Sequence, residues 1–290
     1  MTDAKETKPA HLEPSKLGTR DWDSLYIREQ SNHQTNPADK GTVWFDDSDA
    51  EAKVLAFLKA RTAGSPVACT SIPASTPASP AASSCDSDDD SATDAPAPSL
   101  TYSGSSFLDL GCGNGSLLFA VRRAGYAGRL VGIDYSAASI AFAEQIRATH
   151  AAATGVADAQ LLFAQWDVLR GAYAALPGAA AAGAAPQFDV VLDKGTFDAI
   201  SLCAETNTAG RRVCEEYARR VVRLVKKGGV LVITSCNWTE PELEAWFVGM
   251  QMEEGQEGRW AVDGRVKYRV FSFGGVTGQT ISTVCFKRVE

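Results

Sequence analysis

The sequence predicts a doubly wound α/β fold built on a mostly parallel sheet, and three observations carry that prediction. Apolar runs short enough to be buried strands, among them Phe107–Leu110, Arg129–Ile133 and Phe188–Leu192, alternate with stretches of helical period. Acidic residues stand at or just beyond the ends of such runs, at Asp134, Asp167 and Asp193, on the edge where open α/β sheets bind ligands. The first run passes straight into Gly111-Cys112-Gly113-Asn114-Gly115. Glycines there permit positive φ and a close approach of main chain to ligand, ahead of a helix whose N-terminus points the same way.

At 290 residues, 45% of them hydrophobic, one domain with a sizeable core is expected. The polar start, Met1 to Glu6, and the lack of eighteen successive apolar residues point away from export and membrane insertion, toward the cytosol or the nucleus. Seven cysteines without zinc-type pairing fit reduced thiols. His11, His33 and His150 are too scattered in sequence to suggest a metal site, so none is expected. The net charge of -7 argues against a nucleic-acid backbone as main partner and suits a basic protein. A monomer is expected.

Residues 1–17 lack periodicity and read as a flexible tail, and residues 18–62 as a helical segment lying on the main domain. Thr19 caps a helix with Trp22, Leu25, Tyr26 and Glu29 on one face. Ser48 and Glu51 form a capping box for a second helix bearing Val54, Leu55 and Leu58. Between them Trp44 and Phe45 are an aromatic pair in a polar setting, which fits either a lid packed on the core or a cover over a ligand. From 63 to 106, prolines, serines and alanines surround an acidic knot from Asp86 to Asp90. So little apolar surface cannot offset the entropy of ordering, and the stretch reads as a disordered insertion before a main domain at 107–290.

Leu117, Leu118 and Val121 give the helix after the glycine turn its buried face, Gly125 ends it, and Ser136 caps the next one, through about His150. Gln160–Ala164 is the third strand, and Asp167 beyond it is either a turn former or a ligand contact. Gly171 to Ala185 is an alanine-rich spacer. After the fourth strand comes Asp193-Lys194-Gly195-Thr196-Phe197-Asp198-Ala199, a charged pair at the mouth of a buried strand. A helix is expected from about Thr208 to Lys227, stopped by Gly228-Gly229, then a fifth strand Val230–Thr234 with Ser235-Cys236-Asn237-Trp238 at its exit. Thr239 and Glu242 form a capping box for a helix that buries Leu243, Trp246 and Phe247. Two last strands, Tyr268–Phe273 and Thr280–Phe286, have no long crossover between them and make an antiparallel hairpin at one edge.

A module that only binds its ligand would need the glycine turn but not Asp109, Asp134, Asp167, Asp193 and Trp238 converging on one edge, which favours an enzyme. No serine or cysteine occupies a Gly-x-Ser-x-Gly elbow, and Cys112 reads as a small residue of the turn. The last glycine comes one position early for a dinucleotide fingerprint, Ser116 standing where that pattern wants glycine or alanine. Phe107 to Gly115 instead resembles the first motif of the seven-strand S-adenosylmethionine (SAM) methyltransferases. The resemblance narrows with Leu17 to Asp23, Val43-Trp44-Phe45, Leu192 to Leu202, Ile233 to Trp238 and Phe271 to Gly275. Together these resemble the eukaryotic protein-lysine methyltransferases of translation elongation factor 1-alpha.

That resemblance implies a seven-stranded, Rossmann-like methyltransferase sheet with an antiparallel C-terminal hairpin, SAM as cofactor and the elongation factor as protein substrate. It implies that Asp109, Gly111, Gly113, Asn114 and Gly115 back the methionine end of the cofactor and that Trp44 covers it. Asp134, whose carboxylate can accept both hydroxyls of a ribose, joins Tyr135 and Asp193 in binding it, and Asp167 meets the adenine amino group. Asp193 and Trp238 are expected to be catalytic. Trp238 would desolvate the target amine, and Asp193 would orient its N–H groups rather than act as a base. The alternatives are a methyltransferase of a small molecule or nucleic acid and a silent SAM-binding module.

Overall fold

The computed structural model describes residues 19–65, 100–179, 184–203, 205–206, 210–249, 258–273 and 276–289. One sheet holds seven strands: β1 Phe107–Leu110, β2 Leu130–Asp134, β3 Leu161–Gln165, β4 Phe188–Lys194, β5 Val225–Ser235, β6 Arg259–Val266 and β7 Ser282–Val289. Their spatial order is β3-β2-β1-β4-β5-β7-β6. The first five are parallel, and β7 runs antiparallel to both of its neighbours, β5 and β6. The order reverses between β1 and β4, which opens a crevice at the carboxyl ends of those two strands.

Period-two alternation sends neighbouring residues of each strand to opposite faces, and each face has its own core. Leu108, Leu110, Val131, Ile133, Val191 and Ile233 meet α5 (Thr196–Leu202), α6 (Tyr217–Val222) and α7 (Glu240–Phe247) through Phe197, Tyr217 and Phe247. Phe107, Leu130, Val190, Leu192 and Val232 meet the other helices through Tyr26, Leu58, Leu118 and Phe142. Those helices are α1 (Thr19–Thr35), α2 (Ala50–Ala60), α3 (Ser116–Arg123) and α4 (Ala137–Thr154). Filling each buried leucine or phenylalanine position is worth roughly 1.5–3 kcal/mol. The N-terminal helices therefore belong to the core of one face.

Several expectations hold locally. The Ser136 hydroxyl caps α4 by accepting from Ser139 N at 3.1 Å, and Thr239 with Glu242 forms the capping box of α7. Others are corrected. The long helix ending at Lys227 is instead a 3-10 turn, Val213–Glu216, and the six-residue α6. Val225 already pairs with Phe188, and Lys226 Nζ reaches Asp189 at 2.8 Å, so cross-strand partners override the helical period. Gly228-Gly229 then lies inside β5, at the register shift opposite Phe188 and Val190, with Gly228 at φ +79°. The sixth strand lies upstream of Tyr268, while Phe271–Phe273 and Val276–Gly278 form a separate two-stranded hairpin.

The Ser48–Glu51 box does not form. Asp49 is the N-cap of α2 at φ +54° with no side-chain cap, and Glu51 turns to Ser116 Oγ at 2.5 Å and to Lys194 Nζ at 3.6 Å. Residues 100–106, read from sequence as part of the disordered insertion, are ordered: Leu100–Thr101 pairs in parallel with Thr62–Ala63, and Tyr102 packs on Tyr126. The tail at 1–18 and the proline-rich stretch at 66–99 lie outside the described residues, as do 180–183 of the alanine-rich spacer.

Candidate active site

The chain leaving β1 turns through Gly111, Gly113 and Gly115, at φ +63°, +54° and +79°, before α3 starts at Ser116. A Cβ on Gly111 would lie 2.1 Å from Thr196 Oγ1, and one on Gly113 would lie 2.6 Å from the Tyr26 hydroxyl. Both conformation and crowding demand glycine. A narrow cleft over this turn is walled by Tyr26, Thr42, Trp44, Asp109, Asn114 and Lys194. Asp109 is buried at its edge, and no described residue donates a hydrogen bond to its carboxylate. Burial raises its pKa well above the usual range, against the pull of the nearby Lys194 charge. The Trp44 indole Nε1 is buried without an acceptor.

The segment over the cleft is pinned from three sides. Asn114 Nδ2 donates to the carbonyls of Lys40 at 2.7 Å and Thr42 at 3.2 Å, and Lys194 Nζ donates to the Trp44 carbonyl at 3.1 Å. From α1, Glu29 Oε1 accepts from Thr42 N at 2.9 Å. Trp44 faces the cleft. Its neighbour Phe45, at φ +63°, packs instead against Ala50, Val266, Tyr268 and Ile281.

The remaining acids are placed differently from one another. Asp134 is buried and accepts from Gly113 N at 3.1 Å, Ser136 N at 2.9 Å and Ser139 Oγ at 2.9 Å, so it ties the glycine turn to the start of α4. Tyr135, half-buried beside it, accepts at its carbonyl from Gln165 Nε2 at 2.9 Å. Asp167 is a turn former: its Oδ1 accepts from Leu169 N at 2.8 Å and Arg170 N at 3.3 Å. Neither Asp134 nor Asp167 lines the cleft.

Asp193 lies on the opposite face from Asp109. It is 1% exposed and accepts from Thr196 N at 2.8 Å, from Phe197 N and from the Tyr217 hydroxyl. Burial lifts its pKa to about 7, with those donors pulling it back down. With both oxygens occupied, it holds the start of α5 and does not line the cleft over the glycine turn. Strand alternation is the reason: Lys194, one residue on, takes the cofactor face that the sequence reading gave to Asp193.

A second cavity, of about 410 Å³, opens at the exit of β5 between Ser235–Pro241 and Gly278–Ser282. Trp238 forms part of its wall. Its Nε1 donates to Ser201 Oγ at 2.9 Å and its ring meets Trp246 edge-on at 5.5 Å. Asp198 of α5, given no role of its own from sequence, accepts from Cys236 N at 2.8 Å and from the Ser235 hydroxyl. Ser235 Oγ in turn accepts from Trp238 N at 2.9 Å and Asn237 N at 3.1 Å. One aspartate thus braces the whole wall. Its only sequence signal was an acid one helical turn after Lys194 in a short helix.

The strand order, the left-handed glycine turn and the paired cleft and cavity define the class: a seven-strand methyltransferase sheet. Residues 102–278 match the family model of the methyltransferase domain, and the chain belongs to that family. It is 37% identical to the protein-lysine N-methyltransferase EFM4 of Saccharomyces cerevisiae, with 96% of each chain covered. It is 27% identical to EEF1A lysine methyltransferase 2 of Homo sapiens, covering 95% of this chain and 88% of that one. In fold it is similar to a magnesium protoporphyrin IX methyltransferase from Synechocystis solved with bound SAM, at a TM-score of 0.51 and 12% identity, over 97% of this chain and 99% of that one.

The residues present fit SAM. A buried carboxylate, Asp109, to which no described residue donates, and a buried indole N–H, Trp44 Nε1, without an acceptor among the described residues are groups that a ligand bearing both donors and acceptors would satisfy. In this conformation the cleft has about 20 Å³ of free volume, room for about one water, so its walls must part to admit a ligand the size of SAM. Among the described residues no group of three or more His, Cys, Asp or Glu side chains is arranged to hold a metal, and no helix is long and apolar enough to cross a membrane.

Proposed function

We propose that this chain transfers a methyl group from SAM to the side-chain amine of a lysine in translation elongation factor 1-alpha. The end-to-end match to proteins named for lysine methyl transfer carries this reading, because it takes in the segment over the cleft and the Trp238 cavity as well as the shared fold. When bound, SAM supplies a methyl group on a positively charged sulfur, and an in-line displacement needs a neutral amine aligned with it. A lysine entering the second cavity loses water against Trp238, Pro241 and Ile281, which favours its neutral form. Cys236 takes no part as a base, since burial and the neighbouring Asp198 charge push its thiol up to about 12. The Glu240 carboxylate at the rim is tied to Arg265 Nε at 3.1 Å. The ammonium proton therefore leaves to water as the lysine enters, and the protein's contribution is alignment.

The enzyme acts as a cytoplasmic monomer on a protein, and its net charge of -7 attracts a basic partner in a salt-dependent way. The test is labelled SAM with purified elongation factor, at several salt concentrations, followed by mass spectrometry. Label on a lysine of the factor is the expected result. Label on RNA or small molecules, with none on protein, would favour a methyltransferase of those substrates.

A further inference from the structure

Trp238 lines the cavity at the exit of β5, but its N–H is turned away from it: Nε1 donates at 2.9 Å to Ser201 Oγ on α5, and Ser201 does not line the cavity. Chemistry fixes the direction of that bond. An indole N–H can only donate, and the single hydroxyl proton of Ser201 goes to the Asp198 carbonyl at 3.0 Å, so the Ser201 oxygen faces Trp238 as an acceptor. Ser201 is 4% exposed, and its carbonyl accepts from Arg212 Nη2, which holds the end of α5 in place. The side chains of Phe197, with ring centroids 6.2 Å apart, and of Trp246, edge-on at 5.5 Å, pack against the indole but have no oxygen to receive its N–H.

This placement bears on the reaction because a neutral amine has one lone pair. In the transfer that pair forms the bond to the methyl carbon while the bond from carbon to sulfur breaks and its electrons pass to sulfur, so the pair must face the methyl group. A hydrogen-bond donor in the cavity would take the same pair. An indole released from Ser201 would become such a donor, since a buried N–H without a partner is costly and the ring would turn to find one.

We propose that Ser201 is a positioning residue for the transfer: by holding the Trp238 N–H inside the wall, it presents only apolar ring surface to the acceptor amine and keeps the amine's lone pair free for the methyl group. The assignment rests on the lysine reading of this cavity. It gives α5 a task beyond the Asp198 brace, because Asp198 fixes the main chain of the wall and Ser201 fixes the orientation of the ring.

The test joins turnover to a measurement made without it. In the indole region of a proton–nitrogen correlation spectrum, the resonance missing from Trp238→Phe identifies the Trp238 N–H. Its exchange with water should be about 10-fold or more faster in Ser201→Ala than in the wild type, because the bond that protects it is gone. With elongation factor 1-alpha as acceptor, Ser201→Ala should lower kcat about 10-fold and leave KM for the factor and affinity for SAM within about 2-fold. In the Trp238→Phe background, where there is no N–H to hold, adding Ser201→Ala should change kcat by less than about 2-fold. Ser201→Cys keeps the size of the side chain but offers only a weakly accepting sulfur, so its kcat should fall between the two, and it carries the test should Ser201→Ala fail to fold. An equal loss of kcat in both backgrounds would mean that Ser201 acts by packing α5 and would overturn the inference, as would wild-type kcat or unchanged indole exchange in Ser201→Ala. Each of those results leaves the methyltransferase reading standing. A wild type that leaves the factor unlabelled sinks both.

Discussion

The cleft over the glycine turn and the cavity at the exit of β5 are built on opposite principles. Around the cleft, no described residue donates a hydrogen bond to the buried Asp109 carboxylate or accepts one from the Trp44 N–H. Around the cavity, Asp198, Ser235, Ser201 and the Trp238 indole are bonded to one another. Unpaired buried polar groups cost about 1–3 kcal/mol each and are tolerable where a small ligand fills the site for most of the protein's life. A wall that meets a large partner only in passing must keep its shape while empty. The difference teaches that the cleft is completed by its ligand and the cavity by its own protein.

The strongest way to break that comparison is at the cavity wall. Trp238→Ala should lower turnover by about 100-fold or more, and Asp198→Ala by about 10- to 100-fold, with SAM affinity unchanged in both, since the interaction lost is made with the acceptor. Asp198→Asn keeps one acceptor oxygen, for Cys236 N or for the Ser235 hydroxyl but not both, and should recover part of the loss. Turnover compared with the SAM dissociation constant for each variant decides. A fall in SAM affinity matching the fall in turnover would show that cleft and cavity are not separable.

The next effect sharpens the placement of Asp193 between the two sites. Burial raises its folded pKa to about 7 from an unfolded value of 3.8, so protonated Asp193 is favoured in the folded state. Its contribution is fully present below about pH 4 and is lost as pH rises through about 7. Urea unfolding across pH 4–8 should show the wild type losing a few kcal/mol relative to Asp193→Asn over that window. Parallel pH profiles for the two proteins would place the carboxylate in contact with water. Asp193→Asn should also leave SAM affinity near wild type, in contrast with Asp109→Asn.

The smallest effect concerns the proline-rich stretch that joins Thr62–Ala63 to Leu100–Thr101. Because Thr62–Ala63 and Leu100–Thr101 lie side by side, with Leu100 N donating to the Arg61 carbonyl at 3.2 Å, residues 66–99 begin and end together. Replacing them with about six Gly/Ser residues should change stability by no more than about 2 kcal/mol and leave SAM affinity unaltered. A larger fall in melting temperature would mean that the stretch contributes to the core.

Much of the fold could be read from sequence because its signals were local: buried runs, the glycine turn, the Ser136 cap and the Thr239–Glu242 box. What failed depended on partners far along the chain. Val225 and Lys226 have helical neighbours in sequence and strand partners in space, and Glu51 has a cap to make locally but Ser116 and Lys194 to meet across the fold. At the site, counting alternate residues outward from Leu108 and Leu192 would have separated Asp193 from Lys194, because parity alone assigns them to different faces. Asp134 and Asp167 were placed at the right strand ends, but which donors would claim their oxygens was not written in the spacing.

The docking of α2 bears on how the chain folds. Arg61, at its end, donates to the Asp263 carbonyl at 2.7 Å, and Ala50, at its start, packs with Val266, Tyr268 and Ile281, so both ends of this helix meet partners far along the chain. Contacts between residues so distant in sequence close slowly, because the intervening loop must lose its freedom before the contact rewards it. The cover over the cleft leads straight into α2, so the folding of that cover is tied to the docking of the C-terminal strands.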